Sequence, residues 1–229
     1  MGDWAKWELS KSELPKRCYI FGGNTPKFVM DSIISKYEEV IFHKHDNYEP
    51  YIVSDGITET LLMFQVYGPS MVADLVYILN DGNVDEIIFI GSTYGIDKNL
   101  RIGDYIVPNK VQSLDGIIKV LEDVDYTYPS EELKKRIIKS LISAGEDFKE
   151  GTTISVPTTF WHPDESKYDQ EAIALEMEFA SLCYFSSKFN IKTAGLLVVS
   201  DTANHSLKDD PTLRYKNIIK GFEILHVGT

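Results

Sequence analysis

Short apolar runs alternate along this chain with longer amphipathic ones. Residues 17–21 (RCYIF), 39–42, 51–53, 61–66, 105–108 and 152–156 read as strands, 86–90 (EIIFI) as a near-continuous apolar one, and 193–199, apolar and partly β-branched, as one buried on both faces. Helical patterns fall between them, over about 26–36, 68–79, 130–144, 176–190 and 211–225. Asp55-Gly56 predicts a hairpin turn, Asn80-Asp81-Gly82 a helix stop, and Ser130 an N-cap with Glu131 and Glu132 in the first turn. Glycines after two strands, Gly22-Gly23 and the 91–95 stretch GSTYG, read as turns. Arg101 to Asp104 turns into the strand at 105. Residues 1–16 predict no firm element, and 157–169 (PTTFWHPDESKYD) predicts an aromatic, proline-broken loop. Alternating strands and helices imply a mostly parallel sheet covered by helices. No stretch reads as a linker, so residues 1–229 are expected to form a single domain.

Composition narrows the partners. Hydrophobic residues make up 43% of the chain, enough for a full core. Its 23 basic and 35 acidic residues give a formal charge of −12, which disfavours nucleic acid or an anionic membrane as the main partner. No apolar run approaches the ~20 residues a membrane span needs, and the Trp4/Lys6/Trp7 start lacks the apolar stretch of a signal peptide. A cytoplasmic location is the expectation. Cys18 and Cys183 fit no metal or redox spacing and read as buried, reduced thiols.

The chemistry-bearing stretch is 175–205. Glu176 and Glu178 open a predicted helix, where carboxylates suit the positive dipole end. Ser200-Asp201 closes a buried strand, the place where open α/β sheets gather ligands. Asp201 there is either a proton donor with a pKa raised by a partly dry site, or a turn cap. Asp210 and Pro211 predict a helix start that puts Arg214 in the first turn. A cation at that end is poorly placed, so a carboxylate such as Asp201, or surface Asp209 or Asp210, is expected beside it.

Glu176-Met177-Glu178 before a helix, the Val198-Val199-Ser200-Asp201 strand end and the later Arg214 together resemble the nucleoside phosphorylase superfamily, in particular purine nucleoside phosphorylases of the hexameric type. The resemblance implies a three-layer α/β/α fold around a twisted mixed, mostly parallel sheet. It implies that Met177 and Glu178 hold the ribose, that Asp201 protonates the purine with help from Arg214, and that Phe160 and Trp161 stack on the base. Gly23, Lys27 and Ser92 would surround inorganic phosphate, the co-substrate, with no metal or other cofactor. The implied partners are a purine nucleoside, phosphate and other copies of the chain in a homo-oligomer, a hexamer, with Lys44 or His45 lent across subunits.

The chain departs from the family's pattern at two points. Lysine replaces an arginine at Lys27, and Phe89 stands where the family usually has an arginine. The related hydrolytic nucleosidases, of the methylthioadenosine type, also lack the strand arginine, yet place a water-activating glutamate near the position of Lys27. Phosphorolysis is therefore the first expectation and hydrolysis the second. A nucleoside-binding module without turnover is the third. His162 is a possible polar neighbour of the base, and nothing in 1–16 matches the family's histidine for the 5′ end of the sugar.

Overall fold

The computed structural model describes residues 3–42, 47–158, 160, 164–206, 209–210 and 212–228. In chain order the elements are α1 (Trp4–Leu9), β1 (Arg17–Gly22), α2 (Lys27–Ile34), β2 (Glu39–Phe42), β3 (Glu49–Ser54), β4 (Glu59–Val66), α3 (Pro69–Asp81) and β5 (Glu86–Gly95). They continue as β6 (Tyr105–Ser113), α4 (Ile117–Leu121), β7 (Tyr126–Thr127), α5 (Glu131–Ala144), β8 (Phe148–Ser155), β9 (Ala172–Glu176), α6 (Phe179–Lys188), β10 (Lys192–Thr202) and α7 (Leu213–Gly228).

One mixed sheet runs β10-β6-β8-β9-β5-β1-β4-β3-β2, with β7 on β6. β10 also pairs with β5, so β5, β10, β6, β8 and β9 close into a ring from which β1, β4, β3 and β2 extend. The longest ladders, β10 on β5 and β6 on β8, are parallel, and antiparallel pairs occur at the β2–β3–β4 edge and where the ring closes.

Both faces of the central strands are buried, which is why they read as continuous apolar runs. On β1, Cys18 and Ile20 point to one core while Tyr19 and Phe21 point to the other, and β4, β5 and β10 alternate in the same way. The first core is roofed by α1, α3, α4 and α6, the second by α2, α5 and α7. The expected three layers are present. Each large side chain sealed there contributes about 1.5–3 kcal/mol of burial. Phe21 stacks on Phe64 with ring centroids 4.5 Å apart in the second core. Cys18 and Cys183 are free and buried. No helix among the described residues is long and apolar enough to cross a membrane.

Several expectations need correction. Residues 91–95 do not turn. β10 pairs along one edge of this stretch and β9 along the other, and backbone pairing from both sides keeps it extended as the end of β5. Strand β9, absent from the sequence reading, takes residues 172–176, so the next helix starts at Phe179 rather than at Glu176. The final helix starts at Leu213, where Asp210 Oδ1 accepts from the Leu213 N–H at 3.0 Å. α1 forms within the stretch predicted to have no firm element.

Candidate active site

The turn between β9 and α6 concentrates the buried charge. Glu176 ends the strand, 4% exposed, and its Oε2 accepts from the N–H groups of Glu178 (2.6 Å) and Phe179. These are donors that the start of α6 would otherwise leave unsatisfied. Ser155 on β8 donates its hydroxyl proton to Glu176 and accepts from Ala180 N–H at 2.8 Å. Glu176 is thus a strand-end carboxylate that caps the helix with its side chain.

Glu178, the residue before α6, is 5% exposed, and its Oε1 accepts from Gly68 N–H at 2.8 Å. Burial pushes both carboxyls up. Glu176 rises to about 8, chiefly by burial and further by the neighbouring Glu178 charge, against the pull of its hydrogen bonds. Glu178 rises to about 7 by burial, opposed by the Gly68 N–H. Met177 lies between them, partly buried, with Tyr94 and Tyr168 around the small cluster of Ile154, Val156 and Leu175.

Asp201 arrives from β10. The pairing of β10 with β5 slips by one residue, so Val199 faces Thr93 but Asp201 faces Tyr94, and Ser200 is the extra residue of a β-bulge. In-register pairing would have set Ser200 opposite Tyr94. The slip gives Asp201 the sheet face of Tyr94, and Ser92 two residues earlier shares that face. Ser200 Oγ reaches the Thr93 carbonyl at 3.1 Å and also the Asp201 carboxylate, one of which takes its proton at a time.

Tyr94 in turn pairs with Leu175 on β9, and Thr93 Oγ1 donates to the Leu175 carbonyl at 2.6 Å. Asp201 and Leu175 are therefore two strand spacings apart, roughly 10 Å between Cα atoms. Met177 and Glu178 follow directly. The structure brings Asp201, Ser92, Met177 and Glu178 to one end of the closed ring. Sequence reasoning missed Tyr94, Tyr168, Ser155 and Gly68; Tyr94 alone had a signal, being two residues from Ser92 on an apolar strand.

The remaining expected residues do not join this group. Lys27 is 82% exposed at the start of α2 and pairs with Asp31 at 3.1 Å, one turn along its own helix. Gly23 adopts φ +77°, as a glycine turn should, but its N–H is taken by the Val66 carbonyl at 2.7 Å. Arg214 does not pair with Asp201. Its guanidinium lies 4.3 Å from the Tyr215 ring centroid, and Nη2 donates to the Tyr215 hydroxyl.

Phe160 is 81% exposed and makes no ring contact with another described residue. Trp161, His162, Lys44 and His45 lie outside the described residues. Phe89 is fully buried and stacked on Phe179, ring centroids 5.5 Å apart, in a slot floored by glycine. A Cβ on Gly22 would fall 2.3 Å from Phe89 Cζ, and one on Gly91 2.8 Å from Cε1. The Phe89 ring thus fills the space between β1 and β5 beneath the site.

An open groove of about 1010 Å³ lies at the opposite end of the sheet, among Arg17, Asp55, Glu86 and Lys192. Arg17 and Arg136 both pair with Glu86 there. The groove shares no residue with the convergent group.

The sequence profile of the phosphorylase superfamily matches residues 20–221. The chain belongs to this superfamily. The match spans β1 through most of α7 and contains Met177, Glu178 and Asp201. Among curated relatives, the DeoD-type purine nucleoside phosphorylase of Thermoanaerobacter sp. (strain X514) is 24% identical over 161 residues, 66% of this chain and 69% of that one.

Two solved structures share the fold. The purine nucleoside phosphorylase of Toxoplasma gondii in complex with immucillin-H superposes with a TM-score of 0.78 at 15% identity, covering 93% of this chain and 90% of that one. The 5′-methylthioadenosine/S-adenosyl homocysteine nucleosidase of Campylobacter jejuni gives 0.77 at 16%, covering 92% and 97%. Proteins of this fold are thus named both as phosphorylases and as nucleosidases, and this chain is an enzyme of the phosphorylase superfamily.

Proposed function

We propose that this chain cleaves the N-glycosidic bond of a purine nucleoside. The observation that carries the reading is the bulge at Ser200, which turns Asp201 onto the face of Tyr94 and Ser92, beside the strand that delivers Met177 and Glu178. Asp201 is the general acid: as the bond from C1′ to the purine breaks, the base takes the electron pair and Asp201 supplies a proton to its five-membered ring. Glu178 accepts hydrogen bonds from the ribose 2′ and 3′ hydroxyls, one on each carboxylate oxygen, while Met177 packs on the sugar. These bonds grip the ribose in the ground state, and they speed the reaction to the extent that they strengthen as its ring becomes oxocarbenium-like. Tyr94 and Tyr168, packed with Met177 on one small apolar cluster, offer aromatic surfaces to the base.

Water is the nucleophile that the described residues fit better. A dianionic phosphate needs several donors and positive charge. Here Lys27 faces solvent in an ion pair, the Gly23 N–H is engaged, and an aromatic ring fills the floor at Phe89. In hydrolysis the water oxygen bonds to C1′, its proton replaces the one Asp201 gave up, and the products are free base and free sugar.

Phosphorolysis is the second reading, favoured by the sequence match to a curated phosphorylase. In that reading a homo-oligomer, a hexamer as the family resemblance implies, supplies the missing cations across subunits, Lys44 or His45 among them. Incubation with inosine, adenosine, guanosine and methylthioadenosine, with and without phosphate, separates the two. Free sugar formed at a phosphate-independent rate is the expected result; ribose 1-phosphate formed only with phosphate selects the second reading. Nucleoside binding without product in either condition removes both.

A further inference from the structure

The end of β4 and the two residues after it touch both the loop after β1 and the buried Glu178. Gln65, next to last on β4, has φ +61°, a left-handed conformation that a non-glycine residue holds only when its surroundings enforce it. It is also the extra residue of a bulge, since Ile20 pairs with Met63 while Gly22 pairs with Val66. The bulge aims its amide across to the loop after β1. There Gln65 Nε2 donates to the Thr25 carbonyl at 2.8 Å and Oε1 accepts from the Thr25 N–H at 3.2 Å. Val66 adds a third bond, its carbonyl accepting from Gly23 N–H at 2.7 Å. Thr25 itself is 7% exposed, so both backbone groups would be left without water if the amide withdrew. Three residues on from Gln65, Gly68 at φ +80° gives its N–H to Glu178.

We infer that Gln65 is a positioning residue: by gripping Thr25 at both backbone groups it ties the Gly23–Lys27 loop to the segment whose Gly68 N–H holds the sugar-binding Glu178. The loop and the glutamate then keep a fixed separation, which sets where a nucleophile stands beneath the bound sugar. This rests on the glycosidic-cleavage reading for its role in turnover, and on the hydrogen bonds alone for the clamp itself.

Two variants test it. Gln65→Met keeps the length and loses both bonds, and Gln65→Asn accepts left-handed φ readily but is a methylene too short to reach Thr25. Amide hydrogen exchange of the Thr25 N–H is expected to speed up by about tenfold or more in each, with Leu62 and Met63 unchanged. With inosine as substrate, kcat is expected to fall about tenfold while the dissociation constant for inosine stays within about twofold, because the sugar and base contacts are untouched. Unchanged Thr25 exchange in whichever variant folds overturns the clamp. Inosine binding that weakens in step with kcat overturns the positioning role, since general loosening would do that. A wild-type chain that releases no base from any nucleoside refutes the cleavage reading and the role in turnover with it, while the exchange arm still judges the clamp.

Discussion

The turns after β9 and after β1 face the same end of the sheet and are built on opposite terms. After β9, two carboxyls lie within reach of backbone N–H groups, nearly sealed from water, at the cost of raised pKa values. After β1, the charged residue points into solvent, the glycine N–H is spent on a neighbouring strand, and an aromatic ring seals the floor. A fold retains buried carboxylates at such expense where they do something a hydrophobic residue cannot. On the proposed reading, the contrast assigns the specific chemistry to the sugar and the leaving base. On the proposed reading the loop after β1 stands on the nucleophile's side, and its lack of free cations suits a small neutral nucleophile.

The largest expected effect breaks the first half of the contrast. Asp201→Asn keeps the shape and removes the proton, so base release should fall by roughly 10²- to 10⁴-fold with little change in nucleoside affinity. Steady-state kinetics with inosine read this; an active Asn variant excludes Asp201 from the mechanism. Glu178→Gln replaces two charge-assisted acceptors, each worth about 1.5–3 kcal/mol, with one neutral carbonyl. Its kcat/KM should drop by roughly 10- to 100-fold, measured on the same substrate.

The raised carboxyls also predict a pH dependence. Both have folded pKa values above the ordinary 4.5, at about 8 for Glu176 and about 7 for Glu178, so the folded chain binds protons more tightly than the unfolded one. Unfolding free energy should therefore decline as pH rises from about 4.5 to about 8, by an amount on the order of a few kcal/mol. Glu176→Gln should flatten that slope in urea titrations at several pH values. An identical slope would mean that Glu176 is not protonated in the fold.

The smallest effect sharpens the second half. Lys27→Ala should leave turnover within about twofold, since an exposed ion pair contributes little and the side chain does not face the site. A large loss would show that Lys27 swings inward when substrate binds, and would favour phosphate.

What the sequence revealed follows a physical line. The strands with continuous apolar runs were legible because burial on both faces leaves no other composition, and Asp201, Met177 and Glu178 were legible as a motif. Local sequence misleads where strand pairing overrides local preference. Residues 91–95 look like a turn in isolation and are held straight by neighbours on both sides. Residues 172–176 are too short to announce a strand, so Glu176 looks in the sequence like part of a helix that it only caps. The departures at Lys27 and Phe89 were visible as letters. Their meaning needed the glycine slot at Gly22 and Gly91, because nothing in a linear string shows that two glycines flank one ring. Gln65 was invisible for the same reason, its left-handed backbone being imposed by a bulge.

The account stands on Asp201 and Glu178 gripping a single substrate molecule. A crystal structure of the Asp201→Asn variant, which should bind inosine without consuming it, tests this most directly. It should show residue 201 within hydrogen-bond distance of the purine ring and Glu178 bridging both ribose hydroxyls of that same inosine. Inosine seated in the groove by Arg17 and Glu86, or touching one of the two positions and not the other, would contradict it.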